Sequence, residues 1–255
     1  MAVRRVLSKL RGGLWRARSI AFRLVETTNR RASTFASAPF PDQAEFGWVS
    51  SVERCFPAIQ AELLSVQASE TIPNFQEVSE IQRELTSDDR WKTFFLYGYG
   101  HRDEHNCTLC PATDRALQQI PGLMTAMFSI LSPGKTIPPH RGPYNGVLRY
   151  HLGLVVPDEG TTSGIRVDDQ TKHWTEGKSL IFDDTFEHEA WNTSDQQRVV
   201  LFVDFERPTR FPVSVVNKAV IAAIRRSGLV QDAVGNIRRH RDEHAGRTDD
   251  GAPSA

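Results

Sequence analysis

The chain has 255 residues, 39% of them hydrophobic, which is enough for one substantial core. Lys plus Arg balance Asp plus Glu at 31 each, so overall charge gives no argument for a nucleic-acid partner. Three cysteines, Cys55, Cys107 and Cys110, are too few and too uneven for a disulfide scaffold, and no segment reaches the ~20 apolar residues that span a bilayer or forms a secretory leader, so a cytoplasmic setting is expected.

Residues 1–31 carry nine Lys or Arg and one acid, Glu26, with Val3, Leu7, Leu10 and Leu14 on one helical face. This is either a basic amphipathic helix suited to peripheral contact with an anionic membrane at its inner face, or a solvated leader, because Gly12-Gly13 weakens the helix. The run ASTFASAPFPD reads as a linker, so residues 1–45 are taken as an N-terminal appendage to a principal domain over 46–212.

Within that domain a short helix is expected near Pro57 and a second over SEIQREL, followed by an aromatic strand WKTFFLYGYG and a helix TDRALQQI closed by Pro121-Gly122. HRDEHNCTLC gathers His101, His105, Cys107 and Cys110, all possible zinc ligands. The spacing matches no familiar finger, and a surface loop with a buried cysteine or two is the simpler expectation.

From Thr125 the hydrophobic period changes to two: TAMFSILS, VLRYHLGLVVP, GIRV, KHW, SLIFD and RVVLFVDF read as short strands of an antiparallel sandwich or barrel. Alternation places Arg149 and His151 on one face of their strand and Arg198, Val200, Phe202 and Asp204 on one face of the last. A helix carrying Val216, Val220, Ala223 and Ile224 follows, stopped by Ser227-Gly228, within a segment 213–239; residues 240–255, with His240 and His244, read as a disordered tail.

Two widely separated histidines draw attention. His140 sits in a loop stiffened by Pro138, Pro139 and Pro143, and His188 precedes Arg198 by ten residues. Imidazoles on neighbouring strands can hold a transition metal and leave positions open, but the carboxylate usual two residues after the first histidine is here Gly142. An Arg in an apolar strand is costly unless it meets water or an anion, so Arg198 suits a carboxylate clamp. Asp183 and Asp184 are either acceptors behind the metal ligands or an ordinary strand-end turn.

The stretches HRGPYNGVLRYHLGLVVP and IFDDTFEHEAWN, with Arg198 after them, closely resemble the aspartyl/asparaginyl beta-hydroxylase family of Fe(II)- and 2-oxoglutarate-dependent oxygenases over about Trp91 to Pro208. The bacterial lipid A hydroxylases are similar in RYHLGL, Tyr144 and the terminal ERP. The resemblance implies a mainly β fold with flanking helices, a cupin-like double-stranded β-helix or jelly roll. It further implies His140 and His188 as iron ligands and catalytic centre, Ser129, Arg149, His151 and Arg198 as 2-oxoglutarate contacts, and O2 as the oxidant.

Gly142 matches the peptidyl branch, so the expected substrate is an Asp or Asn residue of a peptide or protein, hydroxylated at the β-carbon. A lipid acyl chain or other small molecule is the alternative, and a non-catalytic binding module the third.

Overall fold

The computed structural model describes residues 24–78, 85, 86, 88–157, 161–228, 232, 235–237 and 239. The leader before residue 24, the SEIQREL helix at 79–84 and the tail with His240 and His244 lie outside them. Among the described residues, no helix is long and apolar enough to cross a membrane.

Helix α1 covers residues 24–32. After it come a 3-10 turn Gln43–Glu45 and helices α2 (Val49–Glu53), α3 (Phe56–Ser69) and α4 (Phe75–Val78). Strands β1 (Trp91–Gly98) and β2 (His101–Arg102) lead into α5 (Glu104–Leu109) and α6 (Pro111–Leu117). Eight strands complete the sandwich: β3 (Leu123–Leu131), β4 (Lys135–His140), β5 (Val147–Val155), β6 (Ser163–Val167), β7 (Gln170–Lys172), β8 (Ser179–Phe182), β9 (His188–Asn192) and β10 (Arg198–Glu206). Helix α7 (Val213–Arg225) follows, and its end just before Ser227-Gly228 agrees with the sequence.

The strands form two antiparallel sheets, one ordered β2-β1-β3-β10-β5-β8 and the other β4-β9-β6-β7. Two facing antiparallel sheets wound in this order are the double-stranded β-helix expected from the sequence, flanked by helices. Alternation along β5 and β10 does what the sequence requires. Leu148, Tyr150, Leu152, Val199, Leu201 and Val203 face outward into a core shared with α2, α3 and α6, whereas Val200 and Phe202 face inward with Trp91, Phe95, Met127, Trp174 and Phe182. The large sheet is therefore buried on both faces, which explains its nearly continuous apolar runs.

Three expectations change. The linker-like run packs against the domain: Phe35 and Phe40 are buried, and Asp183 N donates to Pro39 O at 3.0 Å. Small polar residues suggested a linker, but two phenylalanines at five-residue spacing outweigh them. HRDEHNCTLC is not an open loop, because Asp103 caps α5 by accepting from Asn106 N at 3.0 Å and Pro111 starts α6. Finally, the segments bearing His140 and His188 are paired strands, a point taken up below.

Candidate active site

His140 ends β4 and His188 begins β9, and the two residues are register partners. Their ring centroids are 4.0 Å apart. Strand β4 lies at the edge of the small sheet, the position where Pro138 and Pro139 cost no ladder bond. Each ring places its Nδ1 within hydrogen-bond distance of a carbonyl two residues earlier: Pro138 O at 2.8 Å for His140 and Phe186 O at 3.0 Å for His188. That contact makes Nδ1 the protonated nitrogen and leaves each Nε2 as a lone-pair donor. His188 Nε2 is buried without a hydrogen-bond partner. Burial lowers the proton affinity of both rings, that of His188 to about 3, with the nearby Arg149 charge adding to the effect.

The other predicted residues come from the large sheet. Ser129 lies on β3, Arg149 and His151 on β5, and Arg198 on β10, with Ser129 opposite Val200 and His151 opposite Phe202. Ser129 Oγ accepts from Trp91 Nε1 at 3.0 Å, and the Ser129 carbonyl lies 3.5 Å from Arg198 Nη1. Arg198 is 2% exposed, its guanidinium lies 4.4 Å from the Trp174 ring centroid, and no carboxylate forms a salt bridge with it among the described residues. Burial alone brings its pKa down to about 9. Trp174 also stacks with His151 at 5.9 Å, so one indole backs both groups.

Arg149 is placed differently from Arg198. Its guanidinium is held at 2.9 Å by both Asp184 and Asp204 and lies 4.4 Å from the Phe202 ring. The acidic pair of the sequence divides in role. Asp183 accepts from Thr185 and pairs with Arg207, closing the strand-end turn. Asp184 turns toward Arg149 at the cavity wall, and burial raises it to about 6. A Cβ at Gly142 would lie 2.3 Å from the Asp184 carboxyl carbon, so glycine at this position makes room for Asp184.

The residues fit an absent iron and an anionic co-substrate on independent grounds. His188 Nε2, both His151 nitrogens, Trp174 Nε1 and Arg198 Nε are buried polar atoms without partners, an arrangement too costly to be accidental in a well-packed interior. Among the described residues no group of three or more His, Cys, Asp or Glu could hold a metal ion, so His140 and His188 would hold iron as a pair. Beside them opens a cavity of about 360 Å³. His140, Gly142, Arg149 and Asp184 contribute to its wall, but most of that wall is apolar, including Phe75, Phe95, Met124, Met127, Val147 and Phe202.

Sequence reasoning missed Trp174, Asp204 and Trp91. The run KHW, expected as a strand, lies mostly beyond β7, which ends at Lys172 and leaves Trp174 in the following loop.

A double-stranded β-helix with two facing histidines and a buried arginine lacking a carboxylate partner is the arrangement expected of the 2-oxoglutarate/Fe(II)-dependent hydroxylase class. A family model described as Aspartyl/Asparaginyl beta-hydroxylase matches residues 53–208, and the chain belongs to that family. It is 51% identical over 197 residues to the ornithine lipid ester-linked acyl 2-hydroxylase of Rhizobium tropici, covering 77% of this chain and 70% of that protein. It is 42% identical over 127 residues to human aspartyl/asparaginyl beta-hydroxylase, covering 48% of this chain but only 16% of the human protein. Among solved structures, a prolyl hydroxylase from Trichoplax adhaerens in complex with a hypoxia inducible factor peptide fragment is similar at a TM-score of 0.45 and 13% identity, over 66% of this chain and 81% of that one.

Proposed function

We infer that the protein hydroxylates the acyl chain of a membrane lipid, with Fe(II) held by His140 and His188. The observation that carries this reading is the apolar wall beside the histidines, where Arg149 is already engaged by Asp184 and Asp204. The wall also holds Asp184, one of whose carboxylate oxygens has no hydrogen-bond partner, but its apolar side chains predominate and suit an acyl chain better than an Asp or Asn side chain. Similarity over most of both chains to an enzyme that hydroxylates the ester-linked acyl group of ornithine lipid points the same way.

The peptide substrate expected from Gly142 is the less supported reading. That glycine follows from the position of Asp184, whatever the substrate.

Arg198 would receive the distal carboxylate of 2-oxoglutarate, backed by Trp174 and flanked by Ser129 and His151. A charge-assisted bidentate pair fixes orientation as well as affinity. Once bound, Fe(II) and 2-oxoglutarate supply the oxidation: O2 is consumed, 2-oxoglutarate leaves as succinate and CO2, and one oxygen atom enters a C–H bond of the substrate. The protein's own part is geometric. Two carbonyls fix the tautomers of His140 and His188, Asp184 and Asp204 hold Arg149 still at the cavity wall, and Phe95, Met127 and Phe202 exclude water from the acyl chain.

The test is succinate release with Fe(II) and 2-oxoglutarate in the presence of detergent-dispersed ornithine lipid or of Asp- and Asn-containing peptides, with mass spectrometry of the products. Lipid-dependent succinate and a lipid heavier by one oxygen are expected. Peptide-dependent turnover without lipid turnover would overturn the reading.

A further inference from the structure

Helix α7 carries apolar residues on two sides: Ile221 packs inward with Val220 and Ile224, and a second set faces out. Its central polar residue, Asn217, faces inward and is fully buried, donating to Gly146 O at 2.9 Å and accepting from Tyr144 OH at 2.6 Å. Apolar side chains face out: Val215 is 58% exposed, Val216 50%, and Phe211, just before the helix, 82%. Ala219 and Ala223 continue this exposed side. On α1, Leu24 is exposed as well, while its neighbour Val25 packs with Val220 and Ile224 of α7.

Single exposed apolar residues are ordinary; a run of them on one helix face marks a contact surface. The charge around the run is mostly basic, with Glu206, which interacts with Lys218, as an acidic neighbour. From Arg207 to Gln231 the sequence has five Lys or Arg and no Asp or Glu, and exposed Arg210, Lys218 and Arg226 belong to it. The sequence that leads into α1 is likewise basic. The inner side of α7 meets the cavity, since Tyr144, Val147 and Ile224 belong both to the small core under the helix and to the cavity wall.

We propose that the outward face of α7, with Phe211, Val215 and Val216 as its apolar contacts and Arg210, Lys218 and Arg226 as its charged border, docks on an anionic lipid bilayer. Apolar burial at the interface and attraction of cations to anionic headgroups act together there. This placement rests on the acyl-chain reading above and adds to it the route: a lipid lifted from the bilayer beside α7 needs to pass only that helix to reach the cavity.

The test is sedimentation of the full-length protein with vesicles of phosphatidylglycerol and phosphatidylcholine, or of phosphatidylcholine alone. We expect binding to the anionic vesicles that weakens with salt, and a fall of about tenfold or more in the variant carrying Phe211→Ser, Val215→Ser and Val216→Ser. The three side chains are exposed, so the variant should keep the wild-type melting temperature and its turnover of detergent-dispersed lipid, while losing turnover of lipid in vesicles. Unchanged sedimentation of the variant, or failure of the full-length protein to bind anionic vesicles, would overturn the proposal. So would a wild-type dimer that the variant converts to monomer, since a second copy would then cover the face. Absence of a hydroxylated lipid in detergent sinks the acyl reading and leaves the sedimentation result to decide docking separately.

Discussion

Replacing Arg198 by methionine should stabilise the protein when 2-oxoglutarate is absent and abolish the stabilisation that 2-oxoglutarate confers. The guanidinium is 2% exposed and lacks a carboxylate partner. Burial pulls its pKa from 12.5 to about 9, which at about 1.36 kcal/mol per tenfold change in proton affinity means that keeping it charged costs on the order of 5 kcal/mol. The sign follows from proton uptake. A base whose folded pKa is depressed destabilises the fold fully below about pH 9, and the penalty is relieved as pH rises toward 12.5.

Against that cost stands the contact with Trp174, worth up to about 2 kcal/mol for a desolvated pair and lost on substitution. The net gain is about 3 kcal/mol, or a rise in Tm of roughly 6–12 °C for a domain of this size. For the wild type, 2-oxoglutarate at about a thousand times its Kd adds about 4.1 kcal/mol. Thermal unfolding followed by tryptophan fluorescence, with and without 2-oxoglutarate under anaerobic Fe(II), should therefore show the two proteins exchanging order as co-substrate is added. A methionine variant less stable than wild type without co-substrate, together with a wild type that 2-oxoglutarate does not shift, would refute the reasoning.

Anaerobic Fe(II) with 2-oxoglutarate should give a weak visible charge-transfer band that His188→Ala removes; an undiminished band would take His188 out of the metal site. Gly142→Ala should cost about 1–3 kcal/mol, because its Cβ meets the Asp184 carboxylate at 2.3 Å, and Asp184→Ala in the same chain should recover much of that loss; strictly additive losses in urea unfolding would show that the two positions are independent. Burial raises the Cys107 and Cys110 thiols to about 12, so alkylation at pH 8 should modify half-buried Cys55 and spare those two until the chain unfolds. For the same reason their contribution to stability, full below the ordinary thiol value of 9.0, should be lost as pH climbs toward 12, visible as a falling Tm on the alkaline side.

The parts of the fold visible in the sequence are those where one physical signal dominates. Strands β3, β5, β8 and β10 alternate or run apolar because the large sheet is covered on both faces, and that pattern also put Arg149, His151 and Arg198 on the interior side. The small sheet was harder to see. Strand β4 is KTIPPH and β9 is HEAWN, short and polar, with prolines at an edge, so neither has the composition of a strand. Their pairing is set by tertiary context, yet it is what brings His140 and His188 together. Gly142 was legible as a missing ligand but not as the seat of Asp184, since only the folded chain shows which side chain approaches its Cα. The proposed substrate follows the same rule: motifs identify the family, and the walls of the cavity support the proposal of a lipid over a peptide.

The two iron-ligand candidates sit on the small sheet, and the co-substrate candidates Ser129, Arg149, His151 and Arg198 all sit on the large one. A bound co-substrate gripped by both sets would act as a cross-brace between the sheets. Spreading apart of the sandwich would then be resisted by ligand concentration, so the supply of 2-oxoglutarate in the cell would set the protein's resistance to proteolysis as well as its rate.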